Sequence, residues 1–130
     1  MILLDSHVVI WLGLHREKLS KAASSAIQKA ESSSTPIAIS VTTLFEIAYL
    51  LRRKRIRPSI PDQAFLAQIR GRFHVLPVDA EIAVCAGELG DTVHGGPIDR
   101  ILMATAILAN CALVTADRKI LASGVCKTIW

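Results

Sequence analysis

The chain reads as an α/β fold, a short and mostly parallel sheet flanked by helices, and three observations predict it. Unbroken apolar runs at residues 1–4, 37–39 and 111–114 have the length of buried strands. Between them, apolar residues recur at three- and four-residue spacing, the mark of amphipathic helices. Strands apolar on both faces that alternate with helices make a parallel sheet covered on both sides.

Each element follows in order. Residues 1–4 form the first strand and stop at Asp5. Ser6 to Leu14 has helical character, and His15-Arg16-Glu17-Lys18 breaks it. Ser20 to Glu31 places Ala23, Ala26, Ile27 and Ala30 on one helical face, and residues 32–36, Ser-Ser-Ser-Thr-Pro, make a loop. Ile37-Ala38-Ile39 is the second strand, ended by Ser40. A helix from about Thr42 to Lys54 stops ahead of Pro58, and Pro61-Asp62 opens another with Phe65, Leu66 and Ile69 on one side. Phe73 to Val78 alternates as a strand does, and Asp79 caps a helix running to Asp91. After the loose stretch His94-Gly95-Gly96-Pro97, a helix spans Asp99 to Asn110. Cys111 to Thr115 is a strand, Asp117 to Ser123 a short helix with Gly124 as its C-terminal cap, and Val125 to Trp130 an edge strand. No repeat, linker or low-complexity tract interrupts the 130 residues, so one domain over residues 1–130 is expected.

Composition narrows the class. Hydrophobic residues make up 52% and charged ones 20%, enough for one buried core and too apolar for general disorder. No run reaches the roughly 18 uncharged residues of a membrane-spanning helix, and Met1-Ile2-Leu3-Leu4-Asp5 lacks a basic leader, so no signal peptide is expected. Cys85, Cys111 and Cys126 sit in apolar surroundings without a C-x-x-C spacing, which suggests buried, reduced thiols in a cytoplasm and neither zinc nor disulfides. The net charge of +4 is uneven, because Arg52, Arg53, Lys54, Arg55 and Arg57 cluster. That cluster suits a helix C-terminus and is equally compatible with RNA contact. Arg16, Arg100 and Arg118 are further candidates for phosphate contacts.

Of eleven carboxylates, most lie among polar residues or at helix starts. Asp5, Glu46, Asp99 and Asp117 stand apart. Asp5 and Asp117 follow apolar strands directly, one residue or two beyond the end, where open parallel sheets form their sites. Each, like Asp99, also reads simply as a helix N-cap, and Arg100 offers Asp99 a partner. Glu46 lies inside the apolar helix Leu44-Phe45-Glu46-Ile47-Ala48-Tyr49-Leu50-Leu51, with Thr42, Thr43, Tyr49 and Leu50 one turn away. An unpaired buried charge costs several kcal/mol, so Glu46 needs solvent or a partner, and its poor solvent face favours a site. Gathered at one sheet edge, these acids would raise one another's pKa values, and a hard divalent cation would relieve the conflict. Oxygen ligands without a His or Cys set suit Mg²⁺ or Mn²⁺, which lower the pKa of a bound water and stabilise charge on a phosphate.

Four segments carry a resemblance to a known family. Leu3-Leu4-Asp5-Ser6-His7-Val8, Ser40-Val41-Thr42-Thr43-Leu44-Phe45-Glu46-Ile47, Pro97-Ile98-Asp99-Arg100-Ile101-Leu102-Met103-Ala104-Thr105-Ala106 and Leu113-Val114-Thr115-Ala116-Asp117 resemble the signature segments of PIN domains. The short form, matched from Ile2 to about Trp130, is similar to VapC toxins. The resemblance implies a single Rossmann-like PIN domain and an acidic pocket for Mg²⁺ or Mn²⁺. Asp5, Glu46 and Asp99 match the three core acidic positions, Asp117 the more variable fourth, and Thr115 a Ser/Thr position lining the pocket. It further implies a cytoplasmic endoribonuclease that cleaves RNA phosphodiester bonds, dimerises, and is silenced by a cognate VapB-like antitoxin. Two positions depart from the common pattern. His7 replaces a small polar residue and reads as a spectator in the first helical turn. Gly96 precedes Pro97 where many relatives carry an acid, which would loosen the loop before Asp99.

Other classes fit less well. A catalytically inactive PIN-like module that binds RNA or protein would not need the four acids. A haloacid-dehalogenase-like phosphatase needs a second Asp two residues after the first, where His7 stands. A dinucleotide-binding domain needs a glycine-rich turn after its first strand, which is missing.

Overall fold

The computed structural model describes residues 1–130. Five strands, β1 (Ile2–Leu4), β2 (Ile37–Ser40), β3 (His74–Leu76), β4 (Ala112–Val114) and β5 (Thr128–Ile129), form one sheet in the order β3-β2-β1-β4-β5. Every pairing is parallel. The α/β class holds, and the sheet is parallel throughout rather than mostly so.

Register explains why three-residue strands suffice. Leu4 stands opposite Ile39 and Val114, and Leu3 opposite Ala38 and Leu113. Side chains alternate across a strand, so the first trio faces one side of the sheet and the second trio the other. All six are fully buried. The first core joins Val8, Ile47, Leu51, Phe65 and Ile69, from α1 (Ser6–Leu14), α3 (Val41–Arg52) and α4 (Asp62–Arg72). The second joins Leu102, Met103, Ala106 and Ile120, from α6 (Pro97–Leu108) and α7 (Arg118–Ser123). Full burial of one such aliphatic chain contributes about 1.5–3 kcal/mol, which is why apolar runs this short still set the topology. Two further helices, α2 (Lys21–Ser32) and α5 (Ala80–Glu88), complete the flanks, and Arg16–Lys18 forms a single 3₁₀ turn.

Most element boundaries sit within two residues of those read from the sequence, and the differences have local causes. Ser40 is the last residue of β2 and also caps α3, its hydroxyl accepting the Thr42 N–H at 3.2 Å. The helix therefore starts at Val41 and ends at Arg52, before Lys54 turns to φ 54°. Asp79 caps α5 through the Ile82 N–H at 2.9 Å, but that helix ends at Glu88, three residues early, because Leu89 is extended. Helix α6 begins at Pro97, two residues early, because proline at the first helical position loses no hydrogen bond. Gly124 closes α7 at φ 65°, a left-handed conformation that favours glycine. The edge strand shrinks to Thr128–Ile129.

The cysteines are free, yet only Cys111 is buried; Cys85 and Cys126 are half-buried, contrary to the expectation for all three. No helix is long and apolar enough to cross a membrane.

Candidate active site

The strand order changes direction at β1, with β2 on one side and β4 on the other, and open parallel sheets form their sites beyond the carboxyl ends of the strands at such a switch point. Asp5 follows β1, and its N–H bonds to the Val114 carbonyl of β4 at 3.1 Å, so sheet pairing fixes where its side chain begins. It is 7% exposed. Asp5 Oδ1 accepts the Ser6 N–H at 2.6 Å, with the Ser6 hydroxyl 3.2 Å away. Asp5 Oδ2 accepts the hydroxyl of Thr115 at 2.6 Å. Thr115, fully buried, in turn accepts the Asp117 N–H at 3.0 Å. One hydroxyl thus ties the ends of β1 and β4 to the start of α7.

Asp117 caps α7: its Oδ1 accepts the N–H groups of Lys119 at 2.8 Å and Ile120 at 3.2 Å. The N-cap reading holds for this acid, as it does for Asp5 at α1. Asp99 differs. It is the third residue of α6, and its Oδ2 reaches back to the N–H of Gly96, the true N-cap, at 3.1 Å. Glu46 lies in the middle of α3, half-buried.

The four carboxylates share one electrostatic field. Burial raises the pKa of Glu46 first; the Ser6 hydroxyl opposes this, and the charges of Asp5 and Asp99 add to it. Burial likewise raises Asp99, the Gly96 N–H opposes it, and Asp117 and Asp5 push further upward. Mutual repulsion is therefore present as the sequence suggests, but desolvation outweighs it.

An all-oxygen donor set of carboxylates and hydroxyls fits a hard divalent cation. No group of three or more His, Cys, Asp or Glu side chains is placed to hold a metal ion by itself. Magnesium does not demand one, since it keeps several waters and takes one or two carboxylates directly. The fit is to an open site.

Two expectations are corrected. Asp99 does not cap α6, because Gly96 holds that position. Arg100 does not pair with Asp99. Its guanidinium donates to the carbonyls of Ala86 at 3.0 Å, Val93 at 3.3 Å and Gly87 at 3.4 Å, and to that of Leu89, clamping the end of α5 to α6. Arg16 is exposed and donates through Nε to the Leu12 carbonyl at 3.2 Å. Two residues escaped the sequence reading. Ser6 is 2% exposed and touches the candidate acids; its position next to an Asp at a strand-to-helix junction was the available signal. Gly95 packs so closely on Asp99 that a Cβ there would meet Asp99 Cβ at 3.0 Å and Oδ2 at 3.1 Å. Gly96 gives Asp99 its N–H.

The family model described as the PIN domain matches residues 2–123. The chain belongs to the PIN domain family. Within it, this PIN domain is 35% identical over 119 residues to Ribonuclease VapC22 of Mycobacterium tuberculosis, covering 92% of the chain and 88% of that protein. Two solved structures share its fold. VapBC2 from Rickettsia felis, bound to a promoter DNA fragment, superposes with a TM-score of 0.75 at 19% identity, covering 98% of this chain and 97% of that one. VapC20 of Mycobacterium tuberculosis, described as a sarcin-ricin loop cleaving toxin, gives 0.69 at 21% identity and 95% coverage of both.

Proposed function

We propose that this VapC-like PIN domain is a Mg²⁺- or Mn²⁺-dependent endoribonuclease and the toxin of a toxin–antitoxin pair. The observation that carries the reading is the buried hydrogen bond from Thr115 to Asp5, which fixes a carboxylate at the switch point of the sheet. Similarity to a protein named ribonuclease over 92% of the chain supports the reaction class, and similarity to toxin–antitoxin structures supports the setting.

Asp5, Glu46, Asp99 and Asp117 are the residues proposed to hold the cation, one or two of them directly and the others through its waters. When bound, it would supply a Lewis acid to the scissile phosphate and make water more acidic. Asp5 is held by Ser6 and Thr115 on opposite oxygens, so its orientation is set before substrate arrives. Glu46 and Asp99, whose pKa values burial and neighbouring carboxylates raise, are the groups whose ionised form a cation would favour. Thr115 acts through Asp5 as a positioning residue. An inactive binding module would have no use for this arrangement.

A VapB-like antitoxin and a second copy of the chain are the proposed partners, and the reading carries a cytoplasmic location, where free thiols persist. Val84, Ile107 and Leu108, exposed at 58%, 36% and 48% on neighbouring α5 and α6, are the apolar side chains a second copy would cover. Sedimentation of the purified chain tests the dimer, and co-purification with its antitoxin tests the pair.

The deciding experiment incubates a panel of structured and unstructured RNAs with wild type, Asp5→Asn and Asp99→Asn, each with Mg²⁺, Mn²⁺ or EDTA. Loss of about 100-fold or more is expected for each variant and in EDTA, since metal stabilisation of phosphoryl charge is several kcal/mol and each 1.36 kcal/mol is tenfold. Cutting that survives both substitutions would reject this site.

A further inference from the structure

Beside Glu46, helix α3 carries a row of side chains that the carboxylate site leaves unused. Val41, Phe45 and Tyr49 recur every four residues, so they share one helical face, and they are exposed at 43%, 60% and 50%. The rings of Phe45 and Tyr49 lie 6.2 Å apart at an interplanar angle of 25°. Four residues further on, the guanidinium of Arg53 lies 5.5 Å from the Tyr49 ring. The chain has one tyrosine and three phenylalanines. The other two phenylalanines, Phe65 and Phe73, are buried at 6% and 7%, so this pair is not exposed for want of a core to enter.

Charge says what covers the row. At its far end stand Arg52, Arg53, Lys54, Arg55 and Arg57, all exposed and none in an ion pair. Glu46 stands one residue after Phe45 and three before Tyr49, so the row runs past it. A surface that joins parallel aromatic rings to unpaired cations matches a polymer with flat bases and a phosphate backbone. An apolar protein segment would leave those cations without partners.

We propose that Phe45, Tyr49 and Arg53 form a stacking rail for single-stranded RNA, leading the strand from the cationic end of α3 to the carboxylates. The proposal rests on the ribonuclease reading for its ligand and names the part of the substrate that binds outside the reacting phosphate. Bases stack on the exposed rings irrespective of their identity, and the cluster beyond holds the backbone. The rail sets how the strand enters, not which base is read.

The test separates binding from cutting. Anisotropy titrations in EDTA use fluorescent oligo-A and oligo-U of about ten nucleotides, within the range such surfaces span. They compare wild type, Phe45→Leu, Tyr49→Leu, Tyr49→Trp and Arg53→Gln, with the mass of each protein checked by sedimentation. Leucine keeps apolar area and helix propensity while removing the ring. Base stacking on a side chain corresponds to about 5- to 150-fold in affinity, so each leucine variant is expected to weaken both oligonucleotides by that order. Tyr49→Trp is expected to retain binding, and Arg53→Gln to lower the salt slope by about one. Because metal is absent, these outcomes hold whether or not the wild type cuts RNA. Loss of the ribonuclease reading would appear instead in the cleavage panel. Leucine variants that bind as tightly as wild type overturn the rail. So do variants that convert a dimer to monomers with affinity per chain intact, which would make the row a contact between copies.

Discussion

Thr115 has the largest leverage of any single residue at the site. Its hydroxyl hydrogen goes to Asp5 at 2.6 Å and its lone pair accepts the Asp117 N–H at 3.0 Å, in a position with no solvent access. Valine has nearly the same shape but supplies neither function, leaving a buried carboxylate oxygen and a backbone N–H unpaired. Hydrogen bonds to charged groups contribute about 1.5–3 kcal/mol, so Thr115→Val is expected to destabilise the fold by that order and Thr115→Ser to recover most of it. Chemical denaturation of the three proteins checks this. If the role is positioning, kcat falls in Thr115→Val more than KM rises, and serine restores it. Equal stability of the valine and wild-type proteins would mean that the bond contributes nothing. Ser6 acts on the other oxygen of Asp5, and only its place beside that acid at a strand-to-helix junction sets it apart from the other serines. Asp5 and Thr115 were legible because each follows an apolar run directly. The bond between them was not, since it joins residues 110 apart whose meeting depends on β1 pairing with β4.

Among elements, the segment from α5 into α6 shows where sequence reading lost accuracy. Apolar runs identified β1, β2 and β4 nearly to the residue, because strands buried on both faces tolerate no polar position. Between Leu89 and Gly96 there is no such periodicity, and the order is imposed from outside by Arg100, which holds four carbonyls of this stretch and the end of α5. A side chain reaching back over 7 to 14 residues leaves no local pattern to read. That clamp and the Gly96 cap together present Asp99, with Gly95 pressed against it. A methyl group at Gly95 would stand 3.0 Å from Asp99 Cβ, which belongs to the helix and cannot swing away like the end of a flexible chain. Gly95→Ala is therefore expected to displace Asp99 or its loop and to lower cleavage about tenfold or more, as misplacement near 1 Å can cost 100-fold. Because the glycine lies before the helix and makes no core contact, stability should change by under about 1 kcal/mol. Cleavage rates and melting curves of this one variant test both halves. Full activity would show that the loop absorbs the methyl group without moving the acid.

For the molecule as a whole, the site and the fold pull in opposite directions, and pH exposes the conflict. Glu46 and Asp99 both have folded-state pKa values above their ordinary 4.5 and 3.8, through burial first and neighbouring carboxylates after it. An acid whose pKa is raised on folding binds more protons in the native state than in the unfolded one across that window. Its contribution therefore favours folding at low pH and is lost as pH rises from the unfolded value through the raised folded value. Above the raised value each side chain is ionised and works against the fold. Glu46→Gln removes one of these charges, so it is expected to melt higher than wild type at pH 7, with the gap closing as pH falls toward the ordinary glutamate value of 4.5. Comparing the two proteins cancels contributions such as the Glu31–Arg72 ion pair, which both retain. A divalent cation should do the same for the wild type without mutation. A ligand at about 100 times its Kd adds about 2.7 kcal/mol, so saturating Mg²⁺ or Mn²⁺ at pH 7 should raise the melting temperature, less so in Glu46→Gln and not at all in Asp5→Asn. Melting curves over pH with and without cation carry this test. A Glu46→Gln protein that melts lower than wild type at pH 7 would mean that the carboxylate is paired and stabilising in the free protein, and the site would then not be a charged, cation-seeking cluster.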